Sequence, residues 1–90
     1  MEQKIDISRF LDVGGKIMRL SSKSKFKAAT LSYLAEKFEE NRNYTETEVN
    51  EICNEWHTFG DYFLIRRELM DSGLLCREPD GSRYWRPKKD

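Results

Sequence analysis

The stretch from Thr45 to Asp71 restricts the fold more than any other part of the chain, because two amphipathic helical stripes are joined there by only five residues. Thr45-Glu46-Thr47-Glu48 has the spacing of a capping box, in which the Thr45 hydroxyl accepts from the backbone N–H of Glu48 and the Glu48 carboxylate accepts from that of Thr45. Val49, Ile52, Cys53 and Trp56 then recur at i, i+3, i+4 and i+7, which is one face of a helix. This face predicts a buried Trp56 and makes Cys53 a core thiol rather than a reactive one. The connection His57-Thr58-Phe59-Gly60-Asp61 follows, with Thr58 and Asp61 at the spacing of a second capping box that uses Asp in place of Glu. A further helix is predicted to run to Asp71 or Ser72, to bury Tyr62, Ile65 and Leu69, and to end on Gly73 in the left-handed conformation. Two helices joined by so short a turn read as helix-turn-helix.

The flanking segments complete a recognisable order. Upstream, Leu31, Leu34, Ala35 and Phe38 repeat the same stripe within a helix predicted from Lys25 to about Glu39, which the turn formers Asn41-Arg42-Asn43 end. Tyr44 packs as a staple beside the cap or forms a one-turn strand. Downstream, Leu74 to Glu78 and Arg83 to Arg86 flank Pro79-Asp80-Gly81-Ser82, the composition of a β-hairpin turn. Side-chain alternation sends one of Tyr84 and Trp85 inward, and Tyr84 is the better core residue because Arg83 and Trp85 share the other face. Three helices followed by a hairpin is the order of a winged helix, mainly α with a small β element, in which the third helix is the recognition element and the hairpin is the wing. The N-terminal part reads as a short helix from Asp6 to Asp12, capped by Asp6, burying Ile7, Phe10 and Leu11 and ended by Gly14-Gly15. Lys16 to Leu20 is too short for periodicity to decide, and Ser21 to Lys27 is a solvated approach to the next helix. Residues 1–90 are thus read as one domain, with 1–23 as an extension, 24–86 as the core and 87–90 as a tail.

Composition narrows the function classes. The 38% hydrophobic fraction is low but 12% of the chain is aromatic, so a few bulky groups must carry the core. Cys53 and Cys76 lie far apart in sequence and no secretory apolar stretch follows Met1, which points to a reducing cytoplasm; no apolar run approaches the ~20 residues needed to span a bilayer. No membrane role is expected. The 16 basic and 16 acidic residues cancel, yet residues 1–27 carry 7 basic and 3 acidic groups, residues 28–56 carry 2 and 7, and residues 57–90 carry 7 and 6. Overall neutrality argues against strong nonspecific DNA binding, since phosphate contacts dominate such affinity.

Candidate contact residues follow from this reading. Arg67 lies opposite the buried face of the third helix and is exposed to solvent or a partner, whereas Arg66 flanks that face and is expected to pair with Asp61 or pack along its stem. The wing supplies Arg77, Arg83, Arg86, Lys88 and Lys89, with Trp85 as a stacking or partner-binding surface. Against nucleic acid stand Leu64 and Asp71, which share the sector of Arg67, and the acidic stripe of Glu48, Glu51 and Glu55 on the second helix; the plain alternative is a solvated charged face. Exposed Phe63, Leu64 and Met70 would instead suit a protein partner or a second copy of the chain. Catalysis has little to work with: the single histidine, His57, sits where a helix ends and is read as capping carbonyls there. Two cysteines without CxxC spacing and one histidine do not complete a zinc site, so no metal or cofactor is expected.

Several of these residues also resemble a bacterial family, the domain of unknown function 2087. The resemblance rests on Phe10-Leu11-Asp12 followed by Gly15-Lys16-Ile17, the helix LSYLAEKFE, the run YTETEVNEI, Asp61 leading into Arg66-Arg67-Glu68-Leu69, and GLLCREPDGSRYWR. It covers nearly the whole chain and is most specific from Tyr44 to Trp85. It implies a small protein or a domain attached to helix-turn-helix regulators, and hence a role in transcription regulation. The chain departs from the family pattern at Leu20-Ser21-Ser22-Lys23, where a proline-containing basic segment is usual, so no phosphate-contact role carries over to that segment.

Overall fold

The structure, a computed structural model, describes residues 5–88; Lys89 of the basic tail lies outside them. Its main elements are α1 (Ser24–Ala35), β1 (Asn43–Tyr44), α2 (Glu46–Glu55), α3 (Tyr62–Asp71), β2 (Cys76–Arg77) and β3 (Tyr84–Trp85). The strands form one antiparallel sheet in the order β1-β3-β2, with Tyr44 opposite Tyr84, Arg77 opposite Tyr84, and both Asn43 and Cys76 opposite Trp85. Helix, strand, two helices and a hairpin whose second strand returns beside β1 make this a winged helix.

Local chemistry explains each helix. In α2 the capping box forms as expected: Glu48 N–H donates to Thr45 Oγ1 at 3.1 Å and Thr45 N–H donates to Glu48 Oε1 at 2.8 Å. Val49 and Cys53 are fully buried on its inner face. Trp56 follows the last turn and is half-buried, so the expectation of a buried indole holds only for part of the ring. Helix α1 stops at Ala35, short of Glu39, because the Lys37 and Phe38 N–H groups bond three residues back and tighten the last turn. Phe38 nevertheless stays in the core, edge-on to Tyr44 at 5.3 Å between centroids. The chain then turns on Asn41 at φ +62°, and Tyr44 enters β1, which settles its two readings in favour of the strand.

Helix α3 begins differently from the expected second capping box. Its cap is Asp61, whose Oδ1 accepts from Leu64 N–H at 3.1 Å, while the Thr58 N–H donates to the Ile17 carbonyl at 2.9 Å. Tyr62 therefore occupies the first helical position, outside the junction, and is 40% exposed rather than buried. Ile65 and Leu69 fill the core face as predicted, and Gly73 at φ +78° ends the helix.

The N-terminal part is more integrated than an extension. Only one 3-10 turn, Ser8–Phe10, forms where a helix to Asp12 was predicted; of the three residues predicted to face inward, Phe10 is buried and Ile7 and Leu11 are half-buried. Asp12 Oδ1 accepts from Gly14 and Lys16 N–H groups, pulling the chain into a tight loop that brings Leu11 opposite Ile17. Gly15 in this loop has φ +81°, and a Cβ there would lie 2.8 Å from the Tyr33 hydroxyl, which donates to the Gly15 carbonyl at 2.6 Å. Ile17 then pairs with the α2–α3 connection, donating to the Trp56 carbonyl at 2.8 Å, and its fully buried side chain belongs to the same core cluster as Leu34, Val49, Cys53, Ile65 and Leu69. Each fully buried side chain of this size stabilises the fold by roughly 1.5–3 kcal/mol, so removing Ile17 would cost as much as removing a residue of α1.

Candidate nucleic-acid interface

The α2–α3 junction fixes the direction of α3 through one imidazole. His57 is 4% exposed; its Nδ1 lies 2.6 Å from the Cys53 carbonyl, and its Nε2 accepts from the Asp61 N–H at 2.7 Å. A carbonyl only accepts, so the ring proton resides on Nδ1. The ring thus ties the last turn of α2 to the cap of α3, with Phe59 edge-on at 4.6 Å. This extends the expected helix-capping role, and it leaves neither nitrogen free for a substrate. The Cys53 thiol, next to this junction, is pushed up to about 12 by burial, partly opposed by the Arg66 charge.

From this fixed helix and the wing, a groove of about 280 Å³ opens, lined by Glu46, Phe63, Arg66, Arg67, Met70, Asp71, Arg77 and Tyr84. Arg66 does not pair with Asp61. Its Nη1 lies 3.2 Å from Glu46 Oε1 and donates to Asn50 Oδ1 at 2.7 Å, because Asp61 is engaged as the helix cap and α2 packs against this flank. The Tyr84 hydroxyl also donates to Glu46, at 3.2 Å. Glu46 is therefore engaged within the fold. Arg67 and Arg77 are both exposed, and neither joins an ion pair among the described residues. Asp71 is the remaining acid on the groove wall.

The other wing cations lie elsewhere. Alternation places Tyr44, Tyr84 and Arg77 on one side of the sheet and Asn43, Cys76 and Trp85 on the other. Tyr84 is 2% exposed and Trp85 half-buried, as the alternation predicted. On the Trp85 side lies a second hollow lined by Asn41, Arg42, Asn43, Arg83, Trp85, Arg86 and Lys88. Six of the predicted contact residues, Arg67, Arg77, Arg83, Arg86, Lys88 and Trp85, thus divide into two surfaces: Arg67 with Arg77, and Arg83, Arg86 and Lys88 around Trp85. Arg42, Asn41 and Asn43 were missed, since only the pairing of β1 with β3 brings them there.

The apolar surface also differs from its expectation. Leu64 and Met70 are half-buried, and Met70 packs against the core. Phe63 is exposed, but its neighbours in exposure are Phe59 and Tyr62, at the N-terminal end of α3. Lys27 Nζ, 2.9 Å from Glu68, ties α1 to α3 on the opposite flank.

Among the described residues no helix is long and apolar enough to cross a membrane. Comparison with curated proteins and with solved structures returned no match. Residues 16–86, from the Ile17 bridge through α3 to the last residue of the wing, match the family described as "Uncharacterized protein conserved in bacteria (DUF2087)", and the chain belongs to that family.

Proposed function

We propose that this domain is a regulatory binding module that contacts duplex nucleic acid weakly through the groove between α3 and the hairpin, and that it performs no catalysis. One observation carries the reading: Arg67 from α3 and Arg77 from β2 line one groove with their charges not compensated by ion pairs among the described residues. A winged helix presents this combination of helix face and wing to a groove and its flanking phosphates. Weak affinity follows from the same inventory, because two open cations share the surface with Asp71 and the chain as a whole is neutral. Engagement of both His57 nitrogens by backbone groups supports a binding role over a catalytic one.

The test is fluorescence anisotropy of a labelled duplex against protein at several salt concentrations. Each phosphate contact neutralised contributes a slope of about −0.9 in log affinity against log salt, so the expected slope is about −2. Arg67→Ala with Arg77→Ala should bring it close to zero while thermal melting is unchanged. No binding at ~50 mM salt, where such contacts are strongest, would sink the reading.

A second reading, a protein-interaction or dimerisation module, is favoured by a specific feature. Phe59, Tyr62 and Phe63 are 37%, 40% and 56% exposed around the start of α3. It predicts a mass that rises with protein concentration and a monomer after Phe63→Glu, with no duplex binding.

A further inference from the structure

The hollow around Trp85 is chemically unlike the α3–wing groove. Trp85 is half-buried, yet it is not among the hydrophobic side chains packed against the core; its surroundings are polar. The Arg83 guanidinium lies 4.4 Å from the indole centroid and is held there by Glu78 and by Asn43 Oδ1 at 3.3 Å. Two amide side chains, Asn41 and Asn43, line the same wall. Asn41 turns the chain at φ +62°, a conformation Asn tolerates better than most residues, and its exposed side chain lines the hollow.

The cations of this hollow differ in how far they are neutralised. Arg42 pairs with Glu39 at 2.6 Å and Glu48 at 3.3 Å, and Arg83 pairs with Glu78. Arg86 donates to the Phe38 carbonyl at 3.1 Å, a neutral acceptor that leaves its charge uncompensated. Lys88 is exposed and joins no ion pair among the described residues. A planar aromatic surface, amide donors and acceptors, and two uncompensated cations therefore line one open hollow of about 360 Å³, which is within the ~300–1,000 Å³ typical of small-ligand sites.

We propose that this hollow is a nucleotide subsite: a base stacks against the Arg83–Trp85 pair, the Asn41 and Asn43 amides address its edge, and Arg86 and Lys88 take the phosphate. Stacking on aromatic rings combined with cationic contact to the backbone is how unpaired nucleotides are held. The subsite lies on the opposite side of the sheet from Arg77 and Tyr84, so it does not rest on the duplex reading. The nucleotide comes either free or as part of a single strand, and the two sources share this chemistry.

Tryptophan emission separates them, read in the full chain and in Trp56→Phe, where Trp85 is the only reporter. The probes are adenosine and guanosine monophosphates, an eight-nucleotide single strand, and inorganic phosphate alone. Saturable quenching by a mononucleotide identifies a free-nucleotide site, and quenching by the single strand alone identifies a strand-binding site; either supports the proposal. Trp85→Ala, followed by anisotropy of a labelled probe, should weaken binding at least about tenfold. Lys88→Ala, a change at an exposed residue, should weaken it several-fold, and Trp85→Phe should retain most of it. Absence of binding by every probe would overturn the proposal. So would affinity unchanged in both Trp85→Ala and Lys88→Ala, or inorganic phosphate binding as tightly as the nucleotides. Duplex affinity measured on the same Trp85→Ala protein should not change, which keeps failure here distinct from failure of the α3 reading.

Discussion

Trp56 and Trp85 are both partly buried and have the same kind of neighbour, yet they stand in opposite surroundings. Both are half-buried, and each has a cation over its ring: Lys37 Nζ at 4.1 Å for Trp56, Arg83 at 4.4 Å for Trp85. Trp56 packs against the core cluster, and its carbonyl receives the Ile17 N–H that holds the N-terminal segment in place. Trp85 has amides and cations around it instead. Partial burial therefore does not by itself separate a structural tryptophan from one available to a ligand. The neighbours do.

The sharpest way to break this contrast is to delete each ring. Trp56→Ala should cost about 2–4 kcal/mol, somewhat below the range for a fully buried aromatic because part of the ring meets solvent. In a domain this small that lowers Tm by more than ~10 °C. Trp85→Ala should cost under ~1 kcal/mol, as for other surface changes outside the core. Thermal unfolding of both variants in one buffer checks this, and equal losses would remove the distinction on which the Trp85 subsite stands.

A smaller effect concerns Arg42, which lines the Trp85 hollow and pairs with Glu48. The Glu48 carboxyl is held below the usual glutamate range, first by the Thr45 backbone N–H and then by the Arg42 charge. A carboxylate with a lowered folded-state value contributes stability at neutral pH, and that contribution is lost as pH falls below the ordinary value and through the lowered one. Wild-type protein should therefore lose stability on acidification below about pH 4.5. Glu48→Gln keeps the cap, since Gln also serves at this position, but removes the titration. The expected result is a small deficit for Glu48→Gln at neutral pH that shrinks as acid is added. A deficit that grows in acid would contradict the assignment.

The two tryptophans also mark what was legible in the sequence. Features set by local chemistry could be read directly: the capping box at Thr45 and Glu48, the stripes of α1 and α2, the Gly73 stop, and Tyr84 inward with Trp85 on the other face. Features set by partners distant in the chain could not. Ile17 meets His57 and β1 joins β3 across some forty residues through elements too short to show a period, and Arg66 meets Glu46 across two helices whose mutual packing neither stripe specifies. The same cause scattered the candidate site. Arg67, Arg77, Arg83, Arg86 and Lys88 read as one basic set along the chain, but two-residue strands turn successive side chains to opposite sides, so the fold divides them. Tyr62 was misread because its burial depended on whether α3 is capped at Thr58 or at Asp61, and the Thr58 N–H is taken by Ile17.

If duplex nucleic acid sits in the α3–wing groove, Arg67 and Arg77 are the side chains that meet its phosphates. The most direct measurement is a backbone amide NMR titration of the labelled protein with a short duplex at ~50 mM salt, where electrostatic contacts are strongest. Shifts are expected to cluster on the exposed side of α3 and on Arg77, to leave the Trp85 side of the sheet unmoved, and to fade as salt is raised. Shifts confined to Phe59 and Tyr62 with line broadening from self-association, or no shifts at all at low salt, would contradict it.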